Sequence, residues 1–319
     1  MAETQARLYA EAVDSSGDQF MSAKAGPGGV LTAIGREVLL FPMPEKPGNT
    51  AYSLKYRSLS TIYDYIWHPT QSYHLLLQKD LPIYLQSASK TLKTYPVFTH
   101  LDEIRSPLTA FCSATAFYTG LGKSVYRFDI ETGACSALSL APKGVKCSEK
   151  TIVAALDVNN QLVAAGTYSK LTYILSPQEK TTVAVLEGQF GGVIQCLFHD
   201  FSLYTGGRAD NTVFSWDLRN LRSPIAAFNY YRLHRTQQRV LFSLYQGELR
   251  VGNGDGSVYL YDINTGELKS GFNAHFDAVN STQWSDGFPL ITSSGQRHLP
   301  LSEVQHKPSS IRWWTTGSS

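Results

Sequence analysis

Cysteine is scarce: Cys112, Cys135, Cys147 and Cys196 are the only four in 319 residues, and no two stand in a C-x-x-C spacing. A disulfide framework and a paired-thiol metal site are therefore not expected, and the thiols suit the reducing cytosol or nucleus. Long apolar runs are missing too, so no segment approaches the length needed to cross a bilayer as a helix, and no membrane partner is expected. Met1-Ala2-Glu3-Thr4-Gln5 has neither the basic nor the apolar region of a secretory leader, and none is expected. Charge of one sign is not in excess: 28 Lys and Arg stand against 26 Asp and Glu, a formal net charge of +2. No global field announces a polyanion partner, so any such site has to arise from local placement. There is also no Lys/Arg run to serve as a nuclear import signal. G-x-S-x-G, H-E-x-x-H and paired-carboxylate motifs are absent, so no catalytic residue, metal ligand or cofactor is expected.

What the chain does have is a repeat. Thr212-Val213-Phe214-Ser215-Trp216-Asp217, with Asp210 two residues ahead of it, reads D-x-x-V-x-x-W-D, the end of a WD repeat. The phrase returns as Asp255 to Asp262 and, more loosely, as Gly122 to Asp129. Weaker copies lie at Glu37 to Phe41, Pro82 to Gln86, Leu171 to Ile174 and Ile311 to Trp314. The Trp slot then holds Phe41, Gln86, Phe128, Ile174, Trp216, Tyr261 and Trp314, at intervals of 45, 42, 46, 42, 45 and 53 residues. Seven copies at so even a period predict an all-β fold, a seven-bladed WD-repeat β-propeller occupying residues 1–319 as a single domain.

Residues 6 to 13, within the segment 1–19, can form a strand with Leu8, Ala10 and Ala12 on one face. Because the chain stops just after the third strand of the last blade, this segment is expected to supply that blade's outer strand and so remove two exposed edges. A helix competes there, since Ala, Leu and Glu favour one. Blade one runs from Phe20 to about Leu59, with Gly26-Pro27-Gly28-Gly29 as the turn between its first two strands. Blade two opens at Ile62 and blade three follows His100-Leu101-Asp102-Glu103, ending its third strand at Asp129. Blades four, five and six cover about 152 to 188, 193 to 231 and 239 to 275, and blade seven begins at Ala278. The long last interval reflects a polar loop at 300–310, expected to be disordered.

In such a propeller the turn between the second and third strands of each blade, and the loop opening each blade, share one face. Those turns carry Arg36, Lys79, Lys123, Lys170, Arg208 and Arg297, with Asp255 in blade six. Ordinary surface composition would place cations in only roughly two or three of them. The blade-opening loops add Arg232, His234, Arg235 and Arg239, with Tyr230, Tyr231, Phe190 and Phe276 as stacking surfaces. Cations among aromatics suit single-stranded RNA, while a protein-binding face for acidic peptides is the rival reading. A propeller hydrolase with its site in the central channel is a third. His275 occupies the Gly-His position of a WD repeat and is expected to buttress its blade. The Asp-His-Ser/Thr-Trp network is expected to be incomplete throughout, with Gln189, for instance, in place of His in blade five.

Several phrases together resemble one family. They are Ile62-Tyr63-Asp64-Tyr65 with Trp67, Pro82-Ile83, His100-Leu101-Asp102-Glu103, and Gly191-Gly192-Val193 through Leu197-Phe198-His199. Further on come Gly206-Gly207-Arg208-Ala209-Asp210 leading to Trp216-Asp217-Leu218-Arg219, then Thr236-Gln237-Gln238-Arg239-Val240, Ser294-Gly295-Gln296-Arg297 and Ile311 to Trp314. In order and spacing, from about residue 20 onward, they resemble the telomerase Cajal-body protein family. That resemblance implies a non-catalytic adaptor, monomeric, nuclear and held in Cajal bodies. It would bind the CAB-box loop of H/ACA-type small Cajal-body RNA and telomerase RNA. It would also work with H/ACA ribonucleoprotein proteins and depend on the cytosolic chaperonin to fold. The resemblance singles out Arg208, Arg239 and Arg297. The extended N-terminal region of the family and the blade-five His are departures from it.

Overall fold

The computed structural model describes residues 6–14, 20–88, 90–98, 103–141, 151–159, 161–231, 239–295 and 309–316. Every regular element among them is a strand, and no helix is long and apolar enough to cross a membrane. Strand β1 (Ala6–Asp14) precedes the repeats. Blade one holds β2 (Lys24–Gly26), β3 (Gly29–Ile34), β4 (Glu37–Phe41) and, after the two-residue β5 (Gly48–Asn49), β6 (Leu54–Arg57). Blade two holds β7 (Ile62–Trp67), β8 (Tyr73–Gln78), β9 (Ile83–Ser87) and β10 (Lys90–Tyr95). Blade three holds β11 (Ala110–Cys112), β12 (Ala116–Leu121), β13 (Ser124–Asp129) and β14 (Cys135–Ser139). Blade four holds β15 (Val153–Val158), β16 (Val163–Thr167), β17 (Thr172–Ser176) and β18 (Thr181–Leu186). Blade five holds β19 (Val193–His199), β20 (Ser202–Gly207), β21 (Thr212–Asp217) and β22 (Ala226–Asn229). Blade six holds β23 (Ser243–Tyr245), β24 (Glu248–Gly252), β25 (Ser257–Asp262) and β26 (Leu268–Asn273). Blade seven holds β27 (Val279–Ser285), β28 (Phe288–Ser294) and β29 (Ser309–Thr316), with β1 beyond them. This is the seven-bladed β-propeller that the repeat predicts, and each copy of the motif is the third strand of its blade.

The chain divides into two compact units: Met1–Ser58 with Tyr230–Ser319, and Leu59–Asn229. The second unit contains blades two to five. Its inner strands are largely buried on both faces, as in β16, where Val163–Thr167 are all buried, and the few polar residues they carry, such as Asp64 and Asp157, are buried with them. Tyr118, Val125 and Leu138 of blade three meet Val153, Val163 and Tyr173 of blade four in one core, and the other neighbouring sheets of the unit pack similarly. Close approach here requires a missing side chain. A Cβ on Gly166 would lie 2.4 Å from a methyl of Val193 in the next blade, and Gly120 meets Val153 in the same manner.

The first unit contains blades seven, one and six. Here β1 pairs antiparallel with β29, from Ala6 opposite Thr316 to Asp14 opposite Ser309, so the N-terminal segment closes the last blade as a strand. A bulge between Leu8 and Ala10 breaks the alternation. Ala10 and Ala12 are buried as expected, but Leu8 turns outward at 47% exposure, and Tyr9 instead packs its ring 5.1 Å from Phe288. Glu11 binds Arg312 across this pair at 2.7 Å. A fifth strand was not foreseen: β5, from blade one's outer loop, pairs parallel with β1 through Ala10 and Glu11. The 300–310 loop lies outside the described residues up to Pro308, and Ser309 and Ser310 already belong to β29.

Candidate nucleic-acid interface

Within each blade, hairpin geometry sends the turn between the second and third strands back to the start of the first. The backbone N–H of Lys79 donates to Thr61, that of Tyr168 to Ile152 and that of Arg208 to Gly192, each partner lying just ahead of its blade's first strand. In the second unit, Lys79, Lys123, Lys170 and Arg208 therefore occupy equivalent turns of four consecutive blades, beside the blade-opening loops. Lys79, Lys123 and Lys170 are exposed and Arg208 is half-buried. Lys79, Lys170 and Arg208 enter no ion pair among the described residues. Arg219, in the turn at the other end of blade five, is by contrast tied to Asp217 at 2.7 Å and holds that carboxyl down to about 2. Cations left unpaired beside loops can accept a polyanion without first giving up an internal partner.

On this face, the contact between blades four and five brings a cation onto an aromatic ring. The Arg208 guanidinium sits 4.5 Å from the centre of the Tyr168 ring. Gly191 and Gly192 make the approach possible: a Cβ on Gly191 would lie 1.6 Å from the Arg208 carbonyl, and one on Gly192 would lie 2.8 Å from the Tyr168 Cα. The neighbouring Phe190 donates its backbone N–H to the buried Asp210 carboxylate at 3.0 Å, while its side chain is 77% exposed. Burial raises the Asp210 carboxyl above its ordinary range, and the backbone amides of Phe190, Asn211, Gly191 and Thr212 oppose that shift. Lys170, two residues after Tyr168, sits at φ 71 in its tight turn. Tyr168 was missed in the sequence, where it precedes Lys170 within Tyr168-Ser169-Lys170 and is not itself at the cationic position.

In the first unit, Arg36 is exposed in the turn between β3 and β4, and Asp255 fills the corresponding turn of blade six. Phe276 is 73% exposed with the Arg312 guanidinium 5.6 Å from its ring centre, and Tyr231 is 50% exposed. Tyr230 departs from expectation: it is 6% exposed at the end of blade five's outer strand, so its ring is packed rather than offered for stacking. Arg239 is half-buried beside β23. Arg297, Arg232, His234 and Arg235 lie outside the described residues.

His275 buttresses its blade as expected. Its Nδ1 lies 2.8 Å from Ser310 Oγ and its Nε2 lies 2.6 Å from Thr292 Oγ1, which also accepts from Trp314 Nε1 at 2.8 Å. Burial, with the Arg312 charge adding to it, lowers the His275 pKa well below its ordinary value. Blade seven thus has the His-Thr-Trp part of the network, with Ser310 on the imidazole where the full network has Asp, so the network is incomplete there as expected. In blade five Gln189 Nε2 replaces the imidazole, donating to Thr205 Oγ1 at 3.1 Å while Trp216 donates to the same hydroxyl at 2.9 Å. Among the described residues, no group of three His, Cys, Asp or Glu side chains could hold a metal ion.

No family model matches the chain. Curated relatives do resemble it. Telomerase Cajal body protein 1 of Bos taurus is 25% identical over 305 residues, covering 85% of this chain and 56% of the relative. The protein of that name in Homo sapiens is 25% identical over 300 residues, covering 81% and 54%. The Mesocricetus auratus protein is 27% identical over 265 residues, covering 75% and 49%. The chain is therefore similar over most of its length to Telomerase Cajal body protein 1, as its family-like phrases imply, and it spans about half the length of those curated relatives.

Proposed function

We propose that this chain is a non-catalytic RNA-binding adaptor associated with telomerase and Cajal bodies. In this reading it recognises the CAB-box loop of H/ACA-type small Cajal-body RNA and telomerase RNA and directs the ribonucleoprotein to Cajal bodies in the nucleus. H/ACA ribonucleoprotein proteins would be its partners, and the cytosolic chaperonin would assist its folding. The names of the relatives support the telomerase and Cajal-body association. The observation that carries RNA binding is the row of Lys79, Lys123, Lys170 and Arg208 in equivalent turns of four consecutive blades. It is supported by the Arg208–Tyr168 stack and the exposed Phe190 ring. Phosphates would take the lysines and supply most of the affinity, and bases would take the rings and supply the preference. The test is to cross-link the chain in cells, purify it under denaturing conditions and sequence the bound RNA. Enrichment of H/ACA-type RNAs supports the reading. Recovery of protein partners without RNA overturns it in favour of a protein-interaction scaffold.

A further inference from the structure

We propose that Tyr168, Arg208 and Phe190 form a receptor for an unpaired nucleobase, with Lys170 placed for the adjoining phosphate. The proposal deepens the RNA-binding reading and rests on it. A phosphate needs only a positive charge within reach. This place has more: a planar guanidinium held over an aromatic ring at 4.5 Å, and a second aromatic ring exposed to 77%. Phe190 has no ring contact among the described residues, so both faces of its ring are open to a stacking ligand. Its backbone is nevertheless fixed, because its N–H is bound by Asp210 and the two glycines after it are wedged against Arg208 and Tyr168.

The loop is therefore rigid while the ring is free, an arrangement that lowers the ordering cost of stacking a ligand. A flat, polarisable ligand carrying negative charge at one side fits it: the π-face lies on the ring or guanidinium and the charge goes toward Lys170. A base with its own phosphate has that shape, and bases in a continuous duplex do not expose their faces. The site is thus selective for a splayed single-stranded nucleotide. The Arg208–Tyr168 contact also explains why a lysine would not serve equally, since a compact ammonium offers no second plane to stack on.

The experiment irradiates cells making the full chain at 254 nm, which joins bases to the side chains they touch. Nucleotide-bearing peptides are then mapped by mass spectrometry. Adducts are expected on Tyr168 or Phe190. The recovered RNA is next titrated against Phe190→Leu, which keeps apolar bulk without a π-face, and Arg208→Lys, which keeps the charge. Each is expected to weaken binding on the order of tenfold, with the Arg208→Lys salt dependence matching that of the unaltered chain. Matching melting temperatures for the variants show that a loss is not unfolding. Adducts confined to other peptides, or unchanged affinity in both variants, overturn the nucleobase receptor and leave RNA binding standing. Absence of any cross-linked RNA overturns both.

Discussion

Asp157 offers a direct test of how this fold tolerates buried charge. It lies in β15, 8% exposed, and accepts hydrogen bonds from the backbone N–H groups of Phe198 in the next blade and of Val158. No cation is paired with it among the described residues, and burial pushes its carboxyl up to about 7, with those two amides opposing the shift. Between the ordinary Asp value of 3.8 and this raised value, the folded chain holds a proton that the unfolded chain has released. The contribution of this group to stability is therefore fully present below about pH 4 and is lost as pH rises through 7. For such a shift, about 2–3 kcal/mol disappears between pH 5 and pH 8. His74, lowered to about 4 by burial, has the opposite sign and loses stability as pH falls below its ordinary 6.5. The clean observable is consequently the difference between the chain and its Asp157→Asn variant. Urea melts of both at half-unit steps from pH 5 to 8 should show the variant gaining by about 2–3 kcal/mol across the range. A difference that stays flat to within about 0.5 kcal/mol would refute the assignment of a protonated, unpaired carboxyl to this position.

Gly166→Ala should cost about 1–3 kcal/mol by overpacking against Val193, and the double variant with Val193→Ala should recover part of it. Additive losses in chemical melts would show that the two positions do not touch. Thr292→Val should cost about 2 kcal/mol or more, because it strips the shared partner from His275 and Trp314, both buried. Thr292→Ser should retain most of the stability in the same measurement, and equal losses in both variants would deny the hydroxyl that role.

Much of the architecture was legible because a propeller repeats one solution. The third-strand phrase recurs at a nearly even interval along the chain, so seven third strands can be numbered from the sequence. The closing role of β1 followed from chain accounting, since the last blade otherwise lacked an outer strand. Its bulge was not legible, because Leu8, Ala10 and Ala12 alternate correctly and only the pairing with Trp313 and Trp314 reveals the break. Nor was β5, where Gly48 and Asn49 have no strand propensity and pair only because β1 offers a free edge. The cationic turns were readable as positions, but the arrangement around them was not. Tyr230 had the right chemistry and is buried, whereas Tyr168 lacked any motif and supplies the ring beneath Arg208. That contact joins two blades and depends on glycines 191 and 192 letting the backbones meet, which spacing along the chain does not encode.

If cations in equivalent turns make one face of the second unit a polyanion surface, reversing their charge must abolish that surface. The measurement is the affinity and salt dependence, for RNA recovered with the chain, of a variant with Lys79, Lys123, Lys170 and Arg208 changed to Glu. A second variant, with Lys180, Arg219 and Arg222 changed to Glu at the opposite ends of blades four and five, is measured beside it. The first is expected to lose binding by about a hundredfold or more and to lower the salt slope by about one for each phosphate contact removed, while the second binds nearly as the unaltered chain does. Equal effects from both sets, or none from either, would contradict it.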